Sequence, residues 1–319
     1  MLVLSCLFFS EATFGGSPPR FRMDRMPNDT GIALINQASG LVVWRAVCDP
    51  KQPKPYIYPL ATLDGVGLTA NAPADHPWHH SLWFAWKYIN GVNYWETAKT
   101  DHEKIDPLNQ KQAVDKKGNT VIKSTRFRCG DDFSARVEMT IEYVPAGMPA
   151  VLRESRVLAF SAPRADGSYI IDWDSTFSVG ESEITLDRTP PNGATGGYAG
   201  LSLRFPKGTK DWKFLSSNGT RSAAQGNGKP ACWTDFHGPT KNGLFAGITV
   251  FDHPANPRHP TPWYLNEGHP YFSPALIYHE PMTLKPGATM RLRYRVLVHE
   301  GPGEKSKLDT EFNNFAKKR

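Results

Sequence analysis

The most restrictive feature of this sequence is a two-residue alternation of apolar and polar side chains that recurs along the chain. Over residues 135–143 the odd positions are apolar and the even positions are polar. The same pattern returns over residues 169–179, 200–204 and 290–296. A period of two places one face of a strand in a core and the other in solvent. The sequence therefore predicts antiparallel β structure, with a single short helix around residues 308–315.

Turn signals separate these runs. Asn-Gly and Asp-Gly dipeptides, which favour tight hairpin turns, lie between them. They are Asp64-Gly65, Asn90-Gly91, Asp166-Gly167, Asn192-Gly193, Asn227-Gly228 and Asn242-Gly243. The predicted fold class is all-β, a large antiparallel β-sandwich.

The chain shows no internal repeat and no linker that would divide it. We expect a single sandwich domain over residues 21–302 and a polar tail or short helix over residues 303–319. Residues 1–20 begin with an apolar run that lacks a basic start, and we interpret them as a truncated signal segment. This predicts a periplasmic or secreted protein, and no later segment has the length of a membrane span.

Charge and cysteine content limit the partners. The net charge is +6, but the lysines and arginines are dispersed and form no basic run, so a nucleic-acid partner is not expected. The positive charge is explained by an anionic sugar ligand, such as a uronic acid or a sulfated glycan. It is explained equally well by a basic surface that is only solvated. The four cysteines include no Cys-x-x-Cys pair, and no cofactor is expected.

Chemistry-bearing side chains concentrate in residues 75–96, which hold three of the ten histidines and four of the nine tryptophans. Pro77 interrupts any strand ladder, so His76 and His79 are expected on a loop at the edge of the sheet. The pattern then predicts one strand over residues 81–89, with His80 at its start on the same face as Leu82. Asn90-Gly91 is predicted to form the turn that follows.

These residue types allow acid/base chemistry. Imidazoles exchange protons near neutral pH, and Asp75 beside His76 is placed to orient one of them. Glu96 follows the hairpin and is expected to return as a second proton-transfer group. Two histidines three residues apart with a nearby carboxylate also fit a divalent-metal site, but we expect a site without metal.

The same segment resembles a known family. Residues 75–84 (Asp-His-Pro-Trp-His-His-Ser-Leu-Trp-Phe) and 90–95 (Asn-Gly-Val-Asn-Tyr-Trp) are similar to the signature of the PmoA-like bacterial family of unknown function, often labelled "methane oxygenase". Residues 196–204, 260–263 and 292–299 resemble its later blocks. The chain departs from the family where His80 replaces an Arg, and where Trp86, Tyr88 and Asn93 replace a His and two acidic residues.

The resemblance implies a galactose mutarotase-like supersandwich, a fold of sugar epimerases, polysaccharide lyases and glycoside hydrolase domains. It does not support the oxygenase label, because particulate methane oxidation requires membrane-spanning helices. Fold analogy alone does not assign a function.

Further polar groups lie outside the main segment. Arg204 ends a strand beside a glycine-rich loop and is expected to anchor an acidic or hydroxyl-rich group. Asp235, His237, Glu267 and His269 lie in or beside Pro/Gly-rich loops, where a structural role is the simpler interpretation.

We therefore predict a carbohydrate-active enzyme of lyase, epimerase or glycosidase type, with a sugar or oligosaccharide as its partner. The small number of paired carboxylates favours proton abstraction over hydrolysis. The predicted catalytic residues are His76, His79, His80, Glu96 and Arg204. The predicted substrate-binding residues are Asp75, Trp78, Trp83, Asn90, Trp95, Trp263 and Asn266. The alternative is a non-catalytic carbohydrate-binding protein of the cell envelope, for which the aromatic residues would suffice.

Overall fold

Two eight-stranded antiparallel sheets form the body of the protein. The computed structural model describes residues 19–96, 116–193, 195–209 and 211–318, so residues 1–18 of the predicted signal segment lie outside the described residues. In spatial order, the first sheet consists of β1 (Phe21–Arg25), β2 (Gly31–Asn36), β3 (Val42–Val47), β4 (Tyr56–Leu60), β5 (Leu82–Ala85), β13 (Gly200–Arg204), β18 (Tyr271–Pro274) and β17 (Trp263–Asn266). The second consists of β14 (Lys213–Ser216), β15 (Trp233–Pro239), β16 (Phe245–Asp252), β20 (Thr289–Glu300), β11 (Tyr169–Val179), β10 (Leu152–Phe160), β9 (Ala135–Pro145) and β8 (Gly118–Cys129).

Smaller elements complete the structure. A four-stranded sheet is formed, in spatial order, by β19 (Met282–Leu284), β12 (Ile184–Asp187), β6 (Tyr88–Ile89) and β7 (Val92–Asn93). The helices in the described residues are a 3-10 turn (Pro27–Asp29), α1 (Ala223–Gly226) and α2 (Lys305–Ala316). None of them has the length and apolar character that crossing a membrane requires.

The predicted alternation determines which side chains enter the core. In β9 the odd positions from Ala135 to Tyr143 are buried, and they join one hydrophobic cluster to which both large sheets contribute. Helix α2 packs on the opposite face of the second sheet, where Leu308 and Phe315 meet Ile170. Burying two such side chains contributes roughly 1.5–3 kcal/mol each. Of the described residues, 48% lie in strands and 7% in helices, so the predicted all-β antiparallel sandwich is confirmed.

The single strand predicted over residues 81–89 is wrong, because the structure divides it between two sheets. Trp86 enters the core, and the next side chain, Lys87, turns to a buried ion pair with Glu96. The chain thereby leaves the first sheet after β5 and continues as β6 in the four-stranded sheet. The predicted hairpin turn does form, since β6 pairs with β7 and both Asn90 and Gly91 have positive φ.

Candidate active site

A second cluster of aromatic side chains covers the face of the first sheet that points away from the core. Because side chains alternate along a strand, Leu82 and Phe84 of β5 pack in the core, whereas Trp83 lies on the opposite face of the sheet. The aromatic members of this outer aromatic cluster are Trp83, Trp95, Tyr264, Tyr271 and Tyr278, flanked by the partly buried rings of Tyr56, Trp78 and Tyr198. The sheet therefore buries apolar residues on both faces, and its outer face forms the floor of the candidate site.

Three imidazole rings lie in series on this floor. The ring of His76 is parallel-stacked on His79, with centroids 4.7 Å apart, and on His269 at 4.8 Å. His79 continues the stack onto Tyr271 at 5.2 Å. We call His269, His76 and His79 the histidine stack. His79 is buried, whereas 26% of the His76 side chain is exposed. His76 is therefore the member of the predicted pair that reaches the solvent-exposed edge of the outer aromatic cluster, which we call the rim.

A buried arginine holds Asp75 beside the stack. Arg204 is fully buried, its Nη2 donates to Asp75 Oδ2 at 2.7 Å, and its Nη1 donates to the His269 carbonyl oxygen at 3.2 Å. Asp75 Oδ2 also lies 3.4 Å from His76 Nδ1, a close polar contact rather than a hydrogen bond. Arg204 thus acts on the site by positioning Asp75 and the His269 loop, which corrects its expected role as an anchor exposed to substrate.

A second group of buried charges lies beneath the cluster. Both oxygens of Glu96 accept hydrogen bonds from Lys87 Nζ, and Asn93 Nδ2 donates to Oε2 at 2.6 Å. Lys54 is also fully buried, and its Nζ donates to the Trp95 carbonyl oxygen at 2.6 Å. Burial, opposed by the charge of Glu96, lowers the pKa of Lys54 to about 7.

Burial also keeps the histidines uncharged near neutral pH. It lowers the pKa of His76, and the neighbouring Arg204 charge lowers it further. Burial lowers the pKa of His79 well below its ordinary value and that of His269 to about 4. Although burial opposes the effect, the hydrogen bond and charge of Arg204 lower the pKa of Asp75. At pH 7 the rim therefore presents neutral imidazoles beside an ionised carboxylate.

Several buried polar atoms of the site have no hydrogen-bond partner within the described part of the chain. They are Asp75 Oδ1, His76 Nδ1, His79 Nδ1, His80 Nε2, Trp83 Nε1, Trp95 Nε1 and Arg204 Nε. Leaving such groups unpaired costs about 1–3 kcal/mol each, so native proteins seldom gather them in one place without a functional reason. Unpartnered buried polar atoms also occur in the core between the sheets, at Trp44 Nε1, Trp86 Nε1 and Tyr94 Oη, so they mark this region only together with its histidines.

His80 lies beside the stack rather than in it. Ser81 has a positive φ of 59°, which breaks the strand alternation, so His80 does not share the face of Leu82 as expected. Its ring stacks on Tyr56 at 4.8 Å, and its Nδ1 is 3.0 Å from Asn71 Oδ1. Burial lowers the pKa of His80 to about 3.

The structure does not bring every predicted binding residue to this site. Trp263 is 1% exposed, packs in the core between the sheets, and donates from Nε1 to the Ala231 carbonyl oxygen. Asn90 occupies the β6–β7 turn, where it accepts a hydrogen bond from Thr185. Trp83 and Trp95 do lie at the site, but both are fully buried and support the stack instead of offering a free face.

The remaining predicted residues lie at the rim. Trp78 is partly buried and contacts His76 edge-on at 5.6 Å. Asn266 Oδ1 accepts a hydrogen bond from the His269 backbone N–H. Among the described residues, no three His, Cys, Asp or Glu side chains are arranged as metal ligands, and the faces of the two predicted histidines are turned towards each other.

Two site residues were not predicted from the sequence. The sequence pattern predicted only a structural role for His269, and it gave no indication of Lys54. Both enter the site through contacts that join distant parts of the chain, and no local pattern signals such contacts.

Sequence comparison places the chain in a family. The profile of a family of unknown function, DUF6807, matches residues 37–313, and the chain belongs to this family. No curated protein sequence matches the chain.

Similar solved structures include carbohydrate-related proteins. A protein provisionally named aldose 1-epimerase, from Klebsiella pneumoniae, is 7% identical, with a TM-score of 0.38 over 93% of this chain and 87% of the other. A second, from Escherichia coli K12, is 9% identical, with a TM-score of 0.32 over 85% and 96%. A polysaccharide lyase is 12% identical, with a TM-score of 0.30 over 88% of this chain, which spans only 33% of the lyase. Similarities of this size transfer neither an activity nor a substrate to the chain.

Proposed function

We propose that this protein is a carbohydrate-active enzyme that abstracts a proton from a sugar, with His76 as the base. The observation that carries the proposal is the series Arg204, Asp75 and His76 at the rim of the outer aromatic cluster. Arg204 fixes the carboxylate, and the carboxylate lies beside Nδ1 of the imidazole. Nε2 is then the nitrogen that takes up a proton from a bound molecule.

The protonation states suit this role. A base must be unprotonated before it reacts, and the lowered pKa of His76 keeps the ring neutral at pH 7. Burial and the Arg204 charge oppose the imidazolium that forms when the proton is transferred, and the ionised Asp75 offsets part of this effect. His79 and His269 stay neutral on either side, so they add no positive charge that would oppose this transfer.

The carboxylates favour proton abstraction over glycoside hydrolysis. Hydrolysis ordinarily uses two carboxyl groups, one of which must be a protonated acid. Asp75 is paired with Arg204, which lowers its pKa, and Glu96 is held by Lys87 and Asn93. The direct proton-transfer role predicted for Glu96 therefore has less support than a role in setting the charge around Lys54 and Lys87.

The step balances without an added reagent. His76 removes the proton from a carbon next to a carbonyl or carboxylate group, and the C–H electrons move into that group as an enolate. Reprotonation by water on the other face gives the epimer, and His76 then releases its proton to the hydroxide that remains. Departure of an oxygen from the adjacent carbon, with a proton returned to it, instead gives an unsaturated sugar and a free hydroxyl.

A sugar suits the rest of the site. Trp78 is only partly buried at the rim, where an apolar ring face can pack. Asp75 and His76, whose side chains are 25% and 26% exposed, are polar groups of the kinds that bind hydroxyl groups. The relationship to the PmoA-like family and the galactose mutarotase-like architecture remain parts of this proposal.

Hydrogen exchange at carbon, measured over a panel of sugars, tests the proposal. Neutral and uronate-containing sugars are incubated with the enzyme in D2O, and NMR follows deuterium uptake at carbon and the appearance of unsaturated products. His76→Asn should lower the rate by about two to four orders of magnitude while sugar binding persists.

His237→Gln is the matched control, because His237 pairs with Asp235 on the second sheet, and it should keep full activity. An unchanged rate in His76→Asn would remove His76 from the mechanism. Sugar binding with no exchange or elimination in the wild type would favour the non-catalytic carbohydrate-binding alternative.

A further inference from the structure

An open groove leads away from the histidine stack along the outer face of the protein. It has a volume of about 730 Å³. One side is formed by α1 and the residue after it, and another by the turn between β17 and β18. Its polar side chains in the described residues are Thr195, Asn227, Asn266, Glu267, His269 and Tyr278.

The groove and the proposed catalytic residues share members. His269 lines the groove, and its ring is stacked on His76 at 4.8 Å. Asn266 lines the groove and accepts the His269 backbone N–H. Tyr278 belongs both to the groove and to the outer aromatic cluster. The groove therefore adjoins the histidine stack at His269, the ring that is stacked on the imidazole proposed as the base.

The volume indicates more than one sugar unit. Pockets that enclose drug-sized ligands have volumes of about 300–1,000 Å³. A disaccharide is a molecule of that size, whereas a single pyranose is about half as large. Because the histidine rim adjoins the groove rather than filling it, the groove has room for units beyond the one that reacts.

The lining indicates uncharged units. Among the described residues that line the groove there is no lysine or arginine, and Glu267 contributes a carboxylate. Glu267 Oε1 accepts the Ala223 backbone N–H, so the negative charge is held at the wall of the groove. Amide, hydroxyl and carboxylate groups bind sugar hydroxyls, but a carboxylate repels a uronate or a sulfate.

One wall of the groove is already organised. A Cβ atom on Gly197 would lie 2.6 Å from the Tyr278 ring, and one on Gly228 would lie 2.8 Å from it. Both glycines have positive φ. The ring is therefore held between two backbone segments that approach it closely, as expected of an aromatic wall that is formed before a ligand arrives.

We propose that this groove binds the uncharged sugar units that follow the reacting unit, so that the substrate is an oligosaccharide and not a single sugar. The proposal rests on the function proposed above for the adjoining histidine stack. It makes the part of the substrate that lies along the groove neutral, whatever the charge of the unit that reacts.

Blocking the groove tests the proposal. Ala224 is exposed and lines the groove, so Ala224→Trp fills the groove and Ala224→Ser leaves it open. Calorimetry measures binding of xylo-, cello-, manno- and malto-oligosaccharides of one to four units, and of oligogalacturonides of the same lengths. The wild type and Ala224→Ser should bind at least one neutral series at least tenfold more tightly as its length increases from one unit to three.

Ala224→Trp should lose this gain and keep the affinity for a single unit. Glu267→Gln retains an acceptor for the Ala223 N–H and should tighten binding of oligogalacturonides relative to neutral sugars. Affinity that does not depend on length, a gain retained in Ala224→Trp, or no binding of any neutral oligosaccharide would overturn the proposal. These readouts are binding measurements, so they stay separate from the loss of turnover in His76→Asn that tests the proposed function.

Discussion

Neutralising Glu96 provides a quantitative test of the buried charges beneath the site. In Glu96→Gln the carboxylate is lost, while the fully buried Lys87 keeps its ammonium group. Removing one partner of a buried ion pair costs about 3–5 kcal/mol, because the remaining charge loses that partner while it stays away from water. At about 2–4 °C per kcal/mol, the melting temperature should fall by roughly 6–20 °C.

Urea unfolding followed by tryptophan fluorescence at pH 7.5 measures the loss. Lys87→Met combined with Glu96→Gln should recover part of the stability, since neither charge then remains. Glu183→Gln is the matched control, because its ion pair with Lys285 is exposed, and the midpoint should not move measurably. A free energy of unfolding for Glu96→Gln within about 1 kcal/mol of wild type would refute the reasoning, since it would mean that Lys87 is not a buried charge.

Three further predictions concern pH dependence and the tryptophans. The pKa of His80 is about 3 in the folded protein, so the unfolded chain takes up the proton first as pH falls below 6.5. The free energy of unfolding therefore falls by up to about 1.4 kcal/mol per pH unit. His80→Phe keeps a ring against Tyr56 and should show a shallower acid slope in urea unfolding between pH 6.5 and 4.5; an unchanged slope would contradict the assignment. Lys54 has a pKa of about 7 in the folded protein and an ordinary pKa of 10.5, so the unfolded chain binds its proton first as pH falls from 10 to 7. Wild type should therefore lose stability relative to Lys54→Met over this range. Equal slopes of unfolding free energy against pH in the two proteins would show that Lys54 titrates as an ordinary lysine. Trp263→Ala should cost about 3–5 kcal/mol in unfolding free energy without changing sugar affinity. Trp78→Ala should weaken sugar binding and leave the unfolding free energy nearly unchanged. Weaker binding in Trp263→Ala together with unchanged binding in Trp78→Ala would place the binding surface elsewhere.

The sequence predicted those parts of the structure that depend on local patterns. The alternation in residues 135–143 indicated both the strand and the face it buries, and residues 200–204 form β13 with the predicted bounds. The histidine segment was predicted as the centre of the site because its composition is unusual over a short stretch. His76 and His79 do come together there, with ring centroids 4.7 Å apart.

The errors arose where distant contacts decide the outcome. Trp263 and Tyr264 are adjacent, and only the register with β18 determines which of them enters the core. Arg204 reaches Asp75 across 129 residues, and Lys54 reaches Trp95 across 41. A lysine between two prolines resembles an exposed loop residue, and its burial becomes visible only when the sheet has formed.

The two-sided burial of β5 limits how this protein can change during evolution. Because Trp83 faces the histidines and Phe84 faces the core, an inserted or deleted residue in β5 would exchange the two faces. Such a change would remove the site and disrupt the fold together. Insertions next to α1, whose Ala223 and Ala224 line the groove, would alter the groove and leave β5 and the histidine stack in place. Under the proposed function, new sugar preferences should therefore arise by variation around α1, while the length of β5 stays constant.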